Sequence, residues 1–205
     1  MSPEAKRGLK RGGLILLVGA SFLAVAFGIG WMQTARQQQA ATEASTPVPI
    51  GGAFTLTDEN GQTVTDQTYR GKWLLVFFGF THCPDVCPTA LNDISLTLDQ
   101  LGPRANKVYA LFITVDPERD TAQLINEYTG SFHSNIIGLT GTPEQIATAA
   151  KAYRVYYKKV PTDSGYTMDH SAITYVIDPD GKYAAHFSHQ SGPDRMAAKL
   201  GSLIP

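Results

Sequence analysis

A run of nine residues, KWLLVFFGF at 72–80, constrains the fold more than any other part of the sequence. It is almost continuously apolar and rich in aromatic residues, which is typical of a strand buried on both faces. A similar run, KVYALFITV, follows at 107–115, and between them a helical spacing of apolar residues covers 88–101. Strands that alternate with helices predict an α/β sandwich around a mixed central sheet.

The remaining segments fit this class. Asp120 and Gln123 predict a capping box at the start of a helix that ends near 129. Proline at 161 predicts a turn after a short extended piece. In chain order, the other predicted elements are a hairpin at 53–57 and 62–65, a strand at 136–139, a helix at 143–153, an extended piece at 155–159, a turn at 161–166, a hairpin at 172–178 and 182–187, and a helix at 193–203.

The N-terminal part of the chain has a different composition. Residues 12–35 carry no charge, and the apolar stretch 14–32 would reach roughly 28 Å as a helix, enough to cross a bilayer core. The alternatives are a cleaved signal peptide and a buried core helix, but the run exceeds the usual signal core and no small-x-small cleavage site directly follows it. We therefore expect a cytoplasmic N-terminus at 1–13, a single transmembrane anchor at 14–32, a flexible linker at 33–49 and a globular domain at 50–205.

The flanking charges predict the orientation of this anchor. Four basic residues precede it and one closely follows it: Lys6, Arg7, Lys10 and Arg11, then Arg36. Positive charge stays inside, so the domain should face outward. The absence of a long Arg-rich presequence favours a bacterial cytoplasmic membrane, with the domain in the periplasm.

The charge of the remaining chain argues against a nucleic-acid partner. The whole sequence has 17 basic and 18 acidic residues. Removing Glu4 and the four basic residues before the span leaves 13 and 17, a net charge of −4. There is no basic block of the kind that binds nucleic acid.

Cys83 and Cys87 are the only cysteines, and both lie in FFGFTHCPDVCPTAL at 77–91. A disulfide between them would close a very small loop and so stabilise the fold little. A helix that begins at Pro88 would lower the pKa of the Cys87 thiol. Two thiolates suit a soft metal, but zinc structural sites and iron–sulfur clusters use four protein ligands, so any third ligand must come from elsewhere. Redox and metal functions both remain open.

The sequence has five histidines, and each can be assessed as a third metal ligand beside the two cysteines. His82 is expected to be a surface or supporting residue despite its position beside Cys83, and His133 is expected to be solvated. His186 and His189, at the end of the late hairpin, are also expected to be solvated. His170 remains, and its neighbour Met168 is expected to pack in the core rather than to bind metal.

Three motifs together resemble the Sco/SenC family of copper chaperones for cytochrome c oxidase. They are FGFTHCPDVCP at 78–88, TVDPERDT at 114–121 and DHSAITYVIDPDG at 169–181, and the resemblance covers about 50–203. It implies a thioredoxin-like fold and copper ligands at Cys83, Cys87 and His170. Two thiolates and an imidazole suit Cu(I) and can hold Cu(II) with a further weak ligand. The family also implies a redox disulfide between Cys83 and Cys87.

The resemblance further implies partners, and positions in the chain suggest supporting residues. The expected partner is the dinuclear copper site of cytochrome c oxidase subunit II, with a separate copper donor protein as a second candidate. Asp85 lies inside the cysteine loop, Asp116 ends the second buried strand and Asp169 adjoins His170, so each is a candidate for orienting a ligand or a partner. The simpler interpretation is that Asp116 and Asp120 only cap and turn the chain.

Other functions on the same fold stay open. Thiol-disulfide oxidoreductases of the thioredoxin type use CxxC and a cis-proline before the facing strand, whereas this chain has CxxxC and the segment HSAIT. A peroxidase, or an electron-transfer or copper-sensing module, would also fit a thiol pair. The favoured interpretation is a membrane-anchored metallochaperone, not an enzyme, that acts by copper delivery, by thiol reduction or by both.

Overall fold

The computed structural model describes residues 49–163 and 165–205. The compact unit spans Pro49–Pro205. The predicted N-terminus, the predicted anchor and nearly all of the predicted linker lie outside the described residues. Within the described ranges, no helix has both the length and the apolar content needed to cross a membrane.

The described residues form nine strands and four α-helices. The helices are α1 (Val86–Leu101), α2 (Ala122–Thr129), α3 (Pro143–Ala152) and α4 (Pro193–Leu203), with short 3-10 helices at Asp66–Tyr69 and Gly102–Lys107. The strands are β1 (Thr55–Asp58), β2 (Thr63–Thr65), β3 (Trp73–Gly79), β4 (Val108–Thr114), β5 (Ile136–Thr140), β6 (Tyr157–Thr162), β7 (Gly165–His170), β8 (Ile173–Ile177) and β9 (Tyr183–Ser188).

Seven strands form one mixed sheet in the order β2-β1-β5-β4-β3-β8-β9. β3, β4 and β5 are parallel, and the strands on either side of them are antiparallel. This confirms the predicted α/β fold with a mixed central sheet. β3 lies between β4 and β8 and is therefore an interior strand of the sheet. The loop that follows its carboxyl end has a strand on either side of it.

The apolar run in β3 is buried because both faces of the sheet are covered. Phe77 stacks on Phe112 of β4 at a centroid distance of 6.4 Å. Phe78 points to the opposite face and packs against Tyr153, which follows α3, at 5.5 Å. Both phenylalanines are at most 1% exposed. Aromatic packing on both faces fixes the strand that leads into the cysteine loop.

Helix α1 follows the cysteine loop and begins two residues earlier than predicted, at Val86. Its predicted apolar positions, Leu91, Ile94, Leu98 and Leu101, are buried, and it packs against α4. Because the helix starts at Val86, Cys87 lies inside its first turn.

The predicted capping box at Asp120 is wrong. Thr121 caps α2 instead, and its Oγ1 atom accepts a hydrogen bond from the Leu124 backbone N–H at 3.2 Å. Asp120 turns inward and is fully buried, because it serves as the acceptor for groups on the cysteine loop, described below.

The predicted extended piece and turn between 155 and 166 are also wrong. Residues there form the antiparallel pair β6 and β7, in which Tyr157 faces His170 and Thr162 faces Gly165. Pro161 is tolerated within β6 because this second sheet has only two strands, so each strand keeps a free edge. The hairpin carries His170 at its final position.

Candidate metal centre

The cysteine loop lies between the end of β3 and the start of α1, at the carboxyl end of the parallel strands. The Cys83 backbone N–H donates to the Phe80 carbonyl at 3.2 Å, which turns the chain tightly. The Cys87 backbone N–H donates to the Cys83 Sγ atom at 3.3 Å. Cys83 is half-buried and Cys87 is completely buried, and both are free thiols.

His170 completes a three-residue cluster with these cysteines. Its Nε2 atom lies 3.5 Å from the Cys87 Sγ atom. The candidate ligand atoms of Cys83, Cys87 and His170 all lie within 4.8 Å of one another. The structure therefore brings together the two cysteines and the one histidine that the sequence singled out.

The hydrogen bonds of His170 determine which of its two ring nitrogens carries the proton and which has a free lone pair. Its Nδ1 atom lies 3.3 Å from the Ser171 carbonyl, which can only accept, so Nδ1 carries the proton. Nε2 of the neutral ring is then free to bind a metal. Phe77 and Phe80 pack edge-on against the imidazole at 6.2 and 5.7 Å. The predicted core position of both phenylalanines is confirmed, and they also hold the histidine ring in place.

The prediction that Cys87 has the lowered pKa is wrong, because the arrangement lowers the pKa of Cys83 instead. The main cause is a hydrogen bond from the Cys87 thiol, and further hydrogen bonds come from the backbone N–H groups of Asp85 and Cys87, against the opposing effect of burial. The pKa of Cys87 is raised by its hydrogen bond to Cys83 and then by burial. The helix begins early enough for its first N–H groups to point at the Cys83 sulfur rather than at Cys87.

Asp120 anchors the cysteine loop to the end of β4. Its Oδ1 atom accepts the Thr81 hydroxyl at 2.6 Å, and its Oδ2 atom accepts the Thr81 backbone N–H at 3.0 Å and the Thr114 hydroxyl at 2.7 Å. A buried carboxylate needs several such donors, because an unpaired charge in the interior is costly. Sequence reasoning assigned Asp120 to a helix cap and missed this role, since only the fold brings Thr81 and Asp120 together.

Asp116 anchors the β6–β7 hairpin that presents His170. It is 2% exposed, its Oδ1 atom accepts the Tyr166 hydroxyl at 2.9 Å, and its Oδ2 atom accepts from Arg119 Nε. Arg119 also donates to the Tyr166 carbonyl at 3.1 Å and stacks on the Tyr166 ring at 3.8 Å. Asp116 thus contacts Arg119 and Tyr166 rather than the cysteines or His170 themselves.

The other two aspartates that the sequence singled out are exposed. Asp85 is the N-cap residue of α1, but its side chain makes no capping hydrogen bond. Asp169 faces Lys158 across the hairpin. Within the described residues, neither carboxylate forms a hydrogen bond with Cys83, Cys87 or His170.

The remaining histidines lie outside the cluster. His82 is exposed, and its Nδ1 atom lies 3.0 Å from Thr81 Oγ1. His133 is half-buried rather than simply solvated, because its Nδ1 atom accepts the Asn135 backbone N–H at 3.0 Å. His186 and His189 are exposed on the surface, as expected. Met168 is 9% exposed and belongs to the apolar core, as its predicted packing role requires.

A mixed-sheet α/β domain with two thiols and an imidazole at the carboxyl end of a central parallel strand defines a thioredoxin-like protein with a candidate soft-metal centre. Comparison with known families agrees with this class and narrows it. A model of the SCO1/SenC family matches residues 42–205. The chain therefore belongs to the SCO1/SenC family.

Individual relatives show how far the similarity extends. The human protein "SCO1 homolog, mitochondrial" is 41% identical over 157 residues, which is 75% of this chain but only 52% of the human protein. This chain thus spans about half the length of that relative. The structure of Bradyrhizobium japonicum ScoI with copper bound is 51% identical, covers 75% of this chain and 98% of the other, and has a TM-score of 0.70.

A more distant structure shares the fold. BsSco is described as a member of the Sco family of cytochrome c oxidase assembly proteins in which a disulfide switch was identified. It is 22% identical, covers 78% of this chain and 94% of its own, and has a TM-score of 0.63. At this identity the likeness shows the fold alone.

Proposed function

We propose that this protein is a copper-binding metallochaperone for cytochrome c oxidase, with Cys83, Cys87 and His170 as the copper ligands. The observation that carries the proposal is the cluster of two Sγ atoms and the Nε2 atom within 4.8 Å of one another, with the His170 proton held on Nδ1. The copper-bound ScoI structure at 51% identity supports it.

The donor set suits copper in both of its common oxidation states. Soft thiolates and an imidazole favour three-coordinate Cu(I), and Cu(II) would take a further weak ligand. The lone pair on Nε2 and the thiolate on Cys83 are already directed toward the cluster. Only Cys87 must lose its proton on binding, so copper loading should release protons.

The setting of this activity is part of the same proposal. The apolar segment 14–32 would anchor the chain in a bacterial cytoplasmic membrane, with the domain in the periplasm. The chain would deliver copper to the dinuclear copper site of oxidase subunit II, reduce the cysteines that receive it, or do both, and a separate copper donor protein would load it. The match to the SCO1/SenC family supports this direction.

An anaerobic copper titration tests the site. The purified, fully reduced full chain is titrated with Cu(I) against a competing chelator, beside His170→Ala and the exposed-surface control His189→Ala. We expect one copper per chain, with weaker binding in His170→Ala and wild-type binding in His189→Ala. Identical binding by all three proteins would refute the assignment of His170.

A cellular test addresses delivery. Cells in which the chain carries Cys83→Ser or His170→Ala should lose copper from the oxidase when copper is limiting. Normal oxidase assembly in both mutants under these conditions would count against the chaperone function.

A thiol-disulfide oxidoreductase is the second candidate, and one observation favours it. Cys83 is half-exposed with a lowered pKa, whereas Cys87 lies buried behind it. An accessible attacking thiolate beside a protected second thiol is the arrangement that disulfide exchange requires. Rapid turnover of a disulfide substrate by a chain that binds no copper specifically would favour this candidate over the chaperone.

A further inference from the structure

A basic surface lies beside the candidate metal centre, where α3 ends and β6 begins. The segment 145–162 contains four basic residues and no acidic residue. Lys159 is paired with Glu118 at 2.6 Å, and Lys158 faces Asp169 across the hairpin. Lys151 and Arg154 are exposed and, like Lys158, form no ion pair within the described residues.

Arg154 occupies an unusual backbone conformation. Its φ of 57° makes it the one non-glycine residue with positive φ in the part of the chain that the structure describes. It directly follows the C-cap of α3, where helices commonly use glycine. A charged residue kept in a conformation that favours glycine points to a use for its side chain. A cation near a helix C-terminus also interacts favourably with the helix dipole. Arg154 could therefore serve either binding of a partner or the stability of α3, and an Arg154→Gly variant distinguishes the two.

Lys151 and Arg154 line one shallow groove together with Tyr156 and Tyr157. Tyr156 is 56% exposed, more than any other large hydrophobic side chain in the described residues. Tyrosine and arginine are the residue types that dominate the energetics of protein interfaces. A groove that carries an exposed aromatic ring and two unpaired cations is therefore suited to a protein surface of complementary negative charge.

The groove is joined directly to the strand that ends with His170. The Tyr156 backbone N–H donates to Ser171 Oγ at 3.2 Å, and the Tyr156 carbonyl accepts the Ser171 N–H at 3.0 Å. Ser171 in turn accepts the proton of His170 Nδ1, and Tyr157 faces His170 in the hairpin. A protein bound in this groove would lie next to the histidine of the metal cluster.

We propose that Lys151, Arg154 and Tyr156 form the docking surface for an acidic segment of the protein that receives copper from this chain. This inference rests on the proposed chaperone function and adds the chemistry of the partner's contact face. An anionic membrane is the less suitable occupant, because lipid-binding patches gather about four to eight basic residues, whereas here Glu118 pairs with Lys159 and Asp169 lies opposite Lys158. A bilayer on the groove would also obstruct access to the metal cluster beside it.

The test measures association between the purified full chain and the soluble copper-site domain of oxidase subunit II from the same organism, at low and moderate salt. We expect Lys151→Glu/Arg154→Glu to weaken association at least tenfold and to flatten its salt dependence. The matched control is Arg195→Glu/Lys199→Glu, which makes the same charge change at exposed positions on α4. The control should behave like the wild type, and Cu(I) binding should be unchanged in both double variants.

Arg154→Gly separates docking from helix stability. Glycine removes the charge but suits the positive φ, so the midpoint of unfolding should stay the same or rise while association weakens several-fold. If the charge served only the helix dipole, the variant would be less stable and would associate like the wild type. That result would overturn the inference, and Tyr156→Ser provides a second, uncharged test with an expected loss of association.

The outcomes for the two proposals are distinct. A wild-type chain that fails to bind copper counts against the proposed function. A wild-type chain that binds copper but shows no salt-dependent association with the subunit II domain overturns the docking inference, as does equal association by both double variants. Vesicle binding is compared between phosphatidylglycerol and neutral phosphatidylcholine, because segment 14–32 is expected to insert into both. A Lys151→Glu/Arg154→Glu variant that loses the preference for phosphatidylglycerol but keeps its association with the domain would also overturn the inference, in favour of a lipid site.

Discussion

The Nε2 atom of His170 lies 3.5 Å from the Sγ atom of Cys87, although 83 positions separate the two residues in the chain. The register of the sheet produces this approach. β8 pairs antiparallel with β3, with Thr174 opposite Phe77. His170, three residues before β8 begins at Ile173, therefore returns to the end of the sheet where the cysteine loop leaves β3. The site therefore depends on contacts that hold the loop and the hairpin together, and these can be tested individually.

Gly79→Ala should disturb the buried cysteine. A Cβ atom at this position would lie 2.7 Å from Phe112 Cε2 and 2.8 Å from Cys87 Sγ. We expect a destabilisation of about 1–3 kcal/mol, as for other overpacked cores, and weaker Cu(I) binding because Cys87 must move. Chemical denaturation and chelator competition measure the two effects. Gly201→Ala, whose Cβ would meet only the flexible end of Arg104, is the control, and equal behaviour of the two variants would contradict the prediction.

Asp120→Asn should loosen the cysteine loop. The amide replaces one acceptor oxygen with a donor that faces the hydroxyl or N–H groups of Thr81 and Thr114. We expect a loss of about 2–3 kcal/mol in the free energy of unfolding, together with weaker copper binding. Urea unfolding provides the measurement. Asp99→Asn, at an exposed carboxylate, should leave stability nearly unchanged, and a similarly small effect at Asp120 would refute the anchoring role.

Tyr166→Phe should affect the hairpin more than the cysteines. The variant keeps the ring that stacks on Arg119 but loses the hydroxyl that donates to the buried Asp116 carboxylate. We expect a loss of about 1 kcal/mol in stability and a weaker contribution of His170 to copper binding, visible as an altered copper spectrum. Thiol reactivity should be preserved. Tyr183→Phe, on the exposed surface, is the control, and an unchanged spectrum in Tyr166→Phe would contradict a positioning role.

Cys83 should be the reactive thiol of the reduced, metal-free protein. Its lowered pKa keeps the thiolate populated as the pH falls below the ordinary cysteine pKa of about 8.5. Iodoacetamide should therefore modify Cys83 at least tenfold faster than Cys87, and the reaction should persist near pH 6, where an ordinary thiol reacts far more slowly. Mass spectrometry of the modified peptides gives both rates. Preferential labelling of Cys87 would show that the thiolate is on the other sulfur.

Local patterns in the sequence were sufficient for the strands and helices that frame the site. The apolar run at 72–80 predicts β3 because a strand covered on both faces has no polar alternation. The spacing of Leu91, Ile94 and Leu98 predicts α1 because these residues share one face of a helix. The hairpin of β6 and β7 was missed, because Pro161 is a turn signal in sequence and is compatible with a strand only where its neighbours leave an edge free.

The sequence by itself determined which residues could form the centre: two cysteines, one histidine before a late strand, and motifs that resemble one family. These depend on residue type and order along the chain. Only the tertiary structure decided that Cys83 rather than Cys87 carries the lowered pKa, and that Asp120 and Asp116 hold the loop and the hairpin. Burial, hydrogen-bond direction and the approach of residues distant in sequence exist only once the sheet has formed, so no local pattern could specify them.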